Sequence, residues 1–174
     1  MQDVFDRAKP IRLAVFDVDG VLTDGGLYYS DSGEETKVFD VRDGHGMKML
    51  QESGVELAII TSRSSQCVAR RAGNLGIELV FQGVKDKLAT FRELAAQRAV
   101  EAVHCAYMGD DWIDLPVLTR CGLAFSVPEA PAVVRQRVHY VTTARGGHGA
   151  VREACELIMQ AQGTLEARLA PFLA

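Results

Sequence analysis

The sequence holds four short stretches whose residue types could do chemistry together, and the most specific is Asp17-Val18-Asp19-Gly20-Val21-Leu22-Thr23-Asp24. Two carboxylates directly follow the apolar run Ile11 to Phe16. Carboxylates leaving a hydrophobic strand are costly unless cations or donors meet them. A magnesium ion would meet them, because it favours octahedral oxygen ligands and takes one or two carboxylates with waters and phosphate oxygens. Alternate residues of an extended strand point the same way, so Asp17 and Asp19 can face one site with different tasks. An isolated D-x-D is equally well a solvated loop or a helix cap. Its place between L-A-V-F and G-V-L-T favours the chemical reading.

The second stretch is Gly109-Asp110-Asp111-Trp112-Ile113-Asp114, after an apolar run ending at Met108. The glycine lets the backbone turn closely. Asp110 reads as a metal ligand and Asp114 as a supporting group, with Asp111 less defined. Complementing a helix dipole explains one of these acids well, but three less comfortably. The third is Thr61-Ser62-Arg63, where a hydroxyl can donate to a phosphoryl oxygen. Ser62, Ser64 or Ser65 could equally cap the next helix. The fourth is Val84-Lys85-Asp86-Lys87-Leu88, where a lysine can neutralise phosphate and carboxylate together. A solvated surface lysine is the plain alternative, and the other three stretches argue against it.

The elements that must position these residues follow from the apolar pattern. Ile11–Phe16, Glu56–Ile60, Leu79–Phe81, Val103–Met108, Leu123–Val127 and Val138–Val141 read as strands. Helical candidates are Gly46–Ser53, Ser64–Leu75, Lys87–Arg98, Ile113–Cys121, Pro131–Arg137 and Gly149–Gln160. The alternation predicts an α/β fold, a doubly wound, mostly parallel sheet with helices on both faces. Ligands in such folds bind beyond the carboxyl ends of the strands, where all four stretches fall. Residues 25–40 break the rhythm. Leu27–Tyr29 and Thr36–Phe39 read as a projecting β-hairpin turned by Ser30-Asp31-Ser32-Gly33. An isolated hairpin is barely stable in water, so its aromatic residues are expected to pack against another subunit.

Length and composition set the outer bounds. At about 150 residues per domain, 174 residues make one domain, spanning 1–174, with 163–174 either a terminal helix or a mobile tail. The formal net charge of −4 and the lack of a basic run argue against a nucleic-acid partner. No apolar stretch approaches the roughly 20 residues that span a bilayer, and the first ten residues lack a signal-peptide core. A cytoplasmic protein without a membrane partner is expected. Cys67, Cys105, Cys121 and Cys155 have no C-x-x-C spacing and read as reduced and structural. The histidines at 45, 104, 139 and 148 form no zinc spacing.

The ordered set D-x-D, Thr, Lys and G-D-D-x-x-D resembles the haloacid dehalogenase superfamily of phosphotransferases. The resemblance implies that Asp17 is a nucleophile forming an aspartyl-phosphate and that Asp19 is the general acid, then base. It also implies that Thr61 and Lys87 bind the phosphoryl group, with Lys85 the weaker candidate. Mg²⁺ would be held by Asp17, the carbonyl of Asp19, and Asp110, supported by Asp111 and Asp114. No cap domain fits after the first motif or between Thr61 and Lys87, which implies the capless type.

Longer matches are D-V-D-G-V-L-T-D-G-G-L-Y-Y, F-D-V-R-D-G-H-G-M-K, F-Q-G-V-K-D-K-L, A-Y-M-G-D-D-W-I-D-L-P-V and R-G-G-H-G-A-V-R-E. They resemble the tetrameric 3-deoxy-D-manno-octulosonate 8-phosphate phosphatases of lipopolysaccharide precursor biosynthesis. That family implies a homotetramer, hairpins joined at the subunit interface, and a neighbour covering each site. It also implies a sugar-acid phosphate substrate, with Arg63 and Arg71 as substrate-binding cations for its carboxylate, Arg71 reaching a neighbour's site. A sister group acting on nine-carbon sugar acids is similar but carries glutamate where Arg63 stands. Ser62 and His148 depart from the family's usual glycine and arginine.

Two readings of other classes stay open on the sequence. A phosphorylated receiver module shares the acid cluster, threonine and lysine, but in a different strand order. A non-catalytic assembly domain would share the fold, although Asp17, Asp19, Lys87 and Asp110 are all intact.

Overall fold

The computed structural model describes residues 1–173, and its strand order places the four stretches side by side. The chain enters through helix α1 (Gln2–Ala8) and central strand β1 (Leu13–Phe16). A small antiparallel hairpin follows, β2 (Tyr28–Tyr29) with β3 (Glu35–Thr36). Then come α2 (Val41–Glu52), β4 (Glu56–Ile60), α3 (Gln66–Leu75), β5 (Leu79–Phe81), α4 (Lys87–Gln97) and β6 (Cys105–Met108). The chain closes with α5 (Leu115–Leu118), β7 (Leu123–Ser126), α6 (Ala132–Arg135), β8 (Tyr140–Val141), α7 (Ala150–Ala161) and α8 (Leu165–Leu169).

The main sheet runs β5-β4-β1-β6-β7-β8, and every pairing in it is parallel. β1, β4, β6 and β7 are buried nearly throughout, as a parallel sheet covered by helices requires. The chain winds outward from β1 through β4 to β5, then crosses back to β6. The strand order therefore reverses beside β1, and such a switch point opens a crevice at the strands' carboxyl ends. Register decides what meets there. Phe16 is level with Ile59 on one side and Met108 on the other, so Asp17, Thr61 and Asp110 emerge within two residues of one level.

Several boundaries differ from the sequence-based expectations. The apolar pattern predicts no helix before Gly46, yet α1 forms within residues 1–10. Arg7 and Asp3 pair at 2.8 Å one turn apart, and Val4 and Ala8 are buried on a helix packed against α7. Helix α2 starts at Val41 rather than Gly46, because Asp40 caps it by accepting from the Arg42 amide at 2.6 Å. Gly44 lies in that first turn and lowers its helix propensity, so the turn does not stand out in the sequence. The expected helix Ile113–Cys121 is a 3-10 turn, Trp112–Asp114, followed by the short α5 with Pro116 in its first turn. The hairpin's second strand is Glu35–Thr36, two residues long, rather than Thr36–Phe39.

The C-terminal segment is helical through α8 and a 3-10 turn, Ala170–Phe172. Phe172 lies edge-on to His45 with centroids 5.6 Å apart, and Arg168 meets Glu52 at 3.3 Å. Buried Asp43 of α2 accepts from the Gly149 and Arg152 amides at 3.3 and 2.7 Å, which satisfies the start of α7. The loop before α7 in turn ties to the first motif, where the Gly147 amide donates to the Val21 carbonyl at 2.9 Å. All four cysteines are free thiols, three of them buried. Among the described residues, no helix is long and apolar enough to cross a membrane.

Candidate active site

A cleft of about 210 Å³ opens at the carboxyl ends of β1, β4 and β6, bordered by Asp17, Asp19, Thr61, Arg63, Asp110 and Ile113. Asp17 continues β1, with its amide donating to the Met108 carbonyl at 3.0 Å. Its carboxylate accepts from the Val18 amide at 2.7 Å and from Lys87 Nζ at 2.6 Å. Lys87 opens α4 and is buried, held there by Asp86 capping the helix at 2.9 Å through the Ala89 amide. The Lys87 side chain is only 1% exposed, so the solvated-lysine alternative is out. Lys85 is exposed and takes no part.

Asp114 receives four donors. Lys87 Nζ and Tyr107 Oη donate to Oδ1, each at 2.7 Å, and the Asp110 and Asp111 amides donate to Oδ2, each at 3.2 Å. A carboxylate offers about four lone-pair positions, so Asp114 is saturated. Its carboxylate lies against Gly109, where a Cβ would collide with it. Asp111 caps the 3-10 turn, accepting from the Trp112 amide at 2.7 Å, and borders the cleft.

The electrostatics are unbalanced. Burial pushes the Asp17 carboxyl up to about 6, helped by the Asp114 charge and opposed by Lys87. Burial pushes Asp110 up to about 7, helped by Asp17 and Asp114. Burial also opposes the Lys87 charge, but Asp17 and Asp114 outweigh it and its pKa rises. One ammonium thus serves two buried acids and a third, Asp110, that is half-buried.

That imbalance fits magnesium. Asp17, Asp110 and Asp114 bring carboxylate oxygens within 4.8 Å of one another. Asp114 is already saturated. The Asp110 carboxylate, by contrast, has no hydrogen-bond donor among the described residues, and neither has the carbonyl of Asp19. Hard oxygen atoms lacking donors suit this ion. Gly20, at φ +82°, permits the packing, because a Cβ there would collide with the Asp110 carboxylate.

On the other lip, Arg63 Nε lies 3.7 Å from Asp19 Oδ2. Its Nη2 donates to Glu35 at 2.6 Å and to the Tyr29 hydroxyl at 2.9 Å. Lys37 of the hairpin donates to Asp19 Oδ1, with a side chain only 2% exposed. Lys37 and Glu35 were missed at the sequence level. Their signal was the i, i+2 alternation of Glu35 and Lys37 along one strand, masked by reading the hairpin as a subunit contact alone.

Thr61 is buried at the end of β4, its hydroxyl accepting from the Arg63 amide at 3.4 Å. Ser62 borders the same cleft. Arg71 is not brought to the cleft of its own chain. Its Nη2 donates to the Asp40 carbonyl at 3.0 Å and its guanidinium lies 5.9 Å over the Phe39 ring, so here it clamps the base of the hairpin.

The chain is 46% identical over 164 residues to the 3-deoxy-D-manno-octulosonate 8-phosphate phosphatase of Yersinia pestis, covering 94% of this chain and 88% of that protein. The chain belongs to this phosphatase family. No protein-family model matches the chain. A crystal structure of the 3-deoxy-D-manno-octulosonate 8-phosphate phosphatase from Moraxella catarrhalis, in complex with magnesium ion, phosphate ion and KDO molecule, matches with a TM-score of 0.97. It is 46% identical, and the match covers 99% of both chains. The cobalt-bound form of the phosphatase from Haemophilus influenzae matches with a TM-score of 0.91 at 41% identity, over 97% of this chain and 99% of that one. The α/β fold with its separate hairpin is thus the fold of this phosphatase family.

Proposed function

We propose that this chain is a magnesium-dependent phosphatase that hydrolyses 3-deoxy-D-manno-octulosonate 8-phosphate to the free sugar acid and phosphate, in the cytoplasm, for lipopolysaccharide precursor synthesis. The observation that carries the reading is Asp17 at the end of the central strand, bonded to buried Lys87 and facing the donor-free Asp110. A receiver shares the acid cluster, threonine and lysine but in a different strand order, and an assembly domain gives no reason for an intact cluster beside an open cleft.

The residues divide the work in two displacements. The Asp17 carboxylate attacks phosphorus and forms an O–P bond as the bond to the sugar oxygen breaks. Asp19, the next side chain on that face, donates a proton to the departing alcohol. Water then attacks the aspartyl-phosphate, Asp19 takes its proton, and phosphate leaves with Asp17 restored. Splitting the reaction in this way is the general logic of covalent catalysis. Thr61 and Lys87 hold the non-bridging oxygens. Magnesium, bound by Asp17, Asp110 and the Asp19 carbonyl, offsets negative charge on the transferring group.

Arg63 supplies a planar, permanently charged donor for the substrate's carboxylate at the rim. In a panel of the eight-carbon substrate, a nine-carbon sugar-acid phosphate and hexose phosphates, the first should release phosphate fastest. Arg63→Ala should raise KM about tenfold or more for the eight-carbon acid and far less for hexose phosphates. Equal changes in KM would remove the carboxylate role, and a preference for the nine-carbon acid would reassign the substrate.

The hairpin supports an assembly of several copies. Leu27, Tyr28, Tyr29 and Val38 are 45–58% exposed on a two-stranded ribbon, apolar area that a second copy would cover. A homotetramer built on these hairpins predicts a solution mass near four times 19.0 kDa by light scattering. Tyr28→Asp should shift it to smaller species, and a parent protein that runs as a monomer would sink the tetramer.

A further inference from the structure

Tyr107 is a large, fully buried side chain that the reaction outlined above does not use. It lies mid-strand in β6, its ring packed edge-on against Phe91 of α4 with centroids 6.3 Å apart. At the sequence level it is indistinguishable from a core aromatic. A buried tyrosine hydroxyl needs a partner, and a backbone carbonyl would serve that purpose alone. This one instead donates at 2.7 Å to Asp114 Oδ1, the same oxygen that accepts from Lys87.

We propose that Tyr107 is a positioning residue for phosphoryl transfer, fixing Asp114 and, through it, the ammonium of Lys87 beside Asp17. The inference deepens the proposed function and rests on it for the reaction that is read out. An ammonium has three donors. Asp17 Oδ2 and Asp114 Oδ1 take two of them, at 2.6 and 2.7 Å, and leave the third for a phosphoryl oxygen. The direction of that third donor depends on where Asp114 Oδ1 is held. The Asp110 and Asp111 amides pin only the other oxygen, and at the longer distance of 3.2 Å. Tyr107 therefore determines the torsion of the carboxylate on the side that matters. With both groups buried, no water is at hand to replace the hydroxyl.

The test is Tyr107→Phe, which keeps the ring and its contact with Phe91 and deletes one donor. We expect kcat to fall about tenfold, the lower range for groups that orient a site from behind. KM should stay within about twofold, because substrate contacts are intact. The second readout needs neither turnover nor metal. In metal-free protein, the Lys87 ammonium protons should exchange with water about tenfold faster in the variant by side-chain NMR, because the ammonium loses its fixed partner.

An unchanged kcat, a loss confined to KM, or a lower kcat with unaltered ammonium exchange would each overturn the proposal. Asp114→Asn is the companion variant, and it keeps the proposal testable if the phenylalanine variant does not fold. It preserves shape while weakening the hold on Lys87, and must show both the kcat loss and the faster exchange. A parent protein that releases no phosphate from any sugar phosphate would fail the functional reading instead, and the exchange measurement would still decide the role of Tyr107.

Discussion

Asp17→Asn should abolish phosphate release, by about four orders of magnitude or more, the scale on which loss of a covalent nucleophile is felt. The amide keeps the shape of the carboxylate, but its one oxygen can accept from only one of Lys87 and Val18, which now donate to separate carboxylate oxygens at 2.6 and 2.7 Å. It has no electron pair able to form the aspartyl-phosphate. The fold should not suffer. Burial already penalises the Asp17 charge, with Asp114 adding to the cost. Removing that charge should leave the metal-free melting temperature equal to or above that of the parent. Steady-state turnover and calorimetric melting on the same preparation separate the two effects. Release at more than about one per cent of the parent rate would strip Asp17 of the nucleophile role.

Magnesium dependence should itself depend on pH, with EDTA abolishing turnover throughout. Asp17 and Asp110 are pushed up to about 6 and about 7, against ordinary carboxyl values near 4 in the unfolded chain. Both folded values are raised. The stability they contribute to the metal-free fold is therefore fully present below about pH 4 and is lost as pH climbs through 6 and 7. Magnesium needs both groups ionised, so it must displace protons in the acid part of that window and meets bare, repelling carboxylates above it. Binding should tighten between about pH 5.5 and about pH 8 by tenfold to a hundredfold, roughly a factor of ten per proton displaced per pH unit. The rise in melting temperature on adding magnesium should grow in the same direction. Calorimetric titration in two buffers of different ionisation enthalpy measures the protons released. Affinity independent of pH, with no proton release near pH 6, would show that these carboxylates are not the magnesium site.

What was legible in the sequence was the set of strand ends. The apolar runs before Asp17, Thr61 and Asp110 specify buried parallel strands, and polar residues directly after such runs lie at their carboxyl ends in any α/β topology. The α/β class, the projecting hairpin and the acid pair followed from local pattern and local cost, whereas the lysine stood out only in company with the other three stretches. Resemblance over the longer motifs added the family. Boundaries were less legible. Helix α2 begins at Val41, ahead of the expected Gly46, because Asp40 caps it, and Pro116 turned one expected helix into a 3-10 turn and a short α5.

Only the tertiary structure decided which side chains share an oxygen. Lys85 and Lys87 look alike in sequence, but the rotation of α4 buries one against Asp17 and leaves the other in water. Arg71, read as a substrate cation, is held on the Asp40 carbonyl of its own chain, and Lys37 takes an unexpected place on Asp19. Asp114 and Tyr107, seven residues apart, meet at 2.7 Å because a 3-10 turn folds back over the strand that precedes it. Sequence pattern encodes burial and periodicity, which each residue expresses through its own chemistry. Hydrogen-bond partnership between distant residues depends on register, helix rotation and packing, and those exist only once the chain has folded.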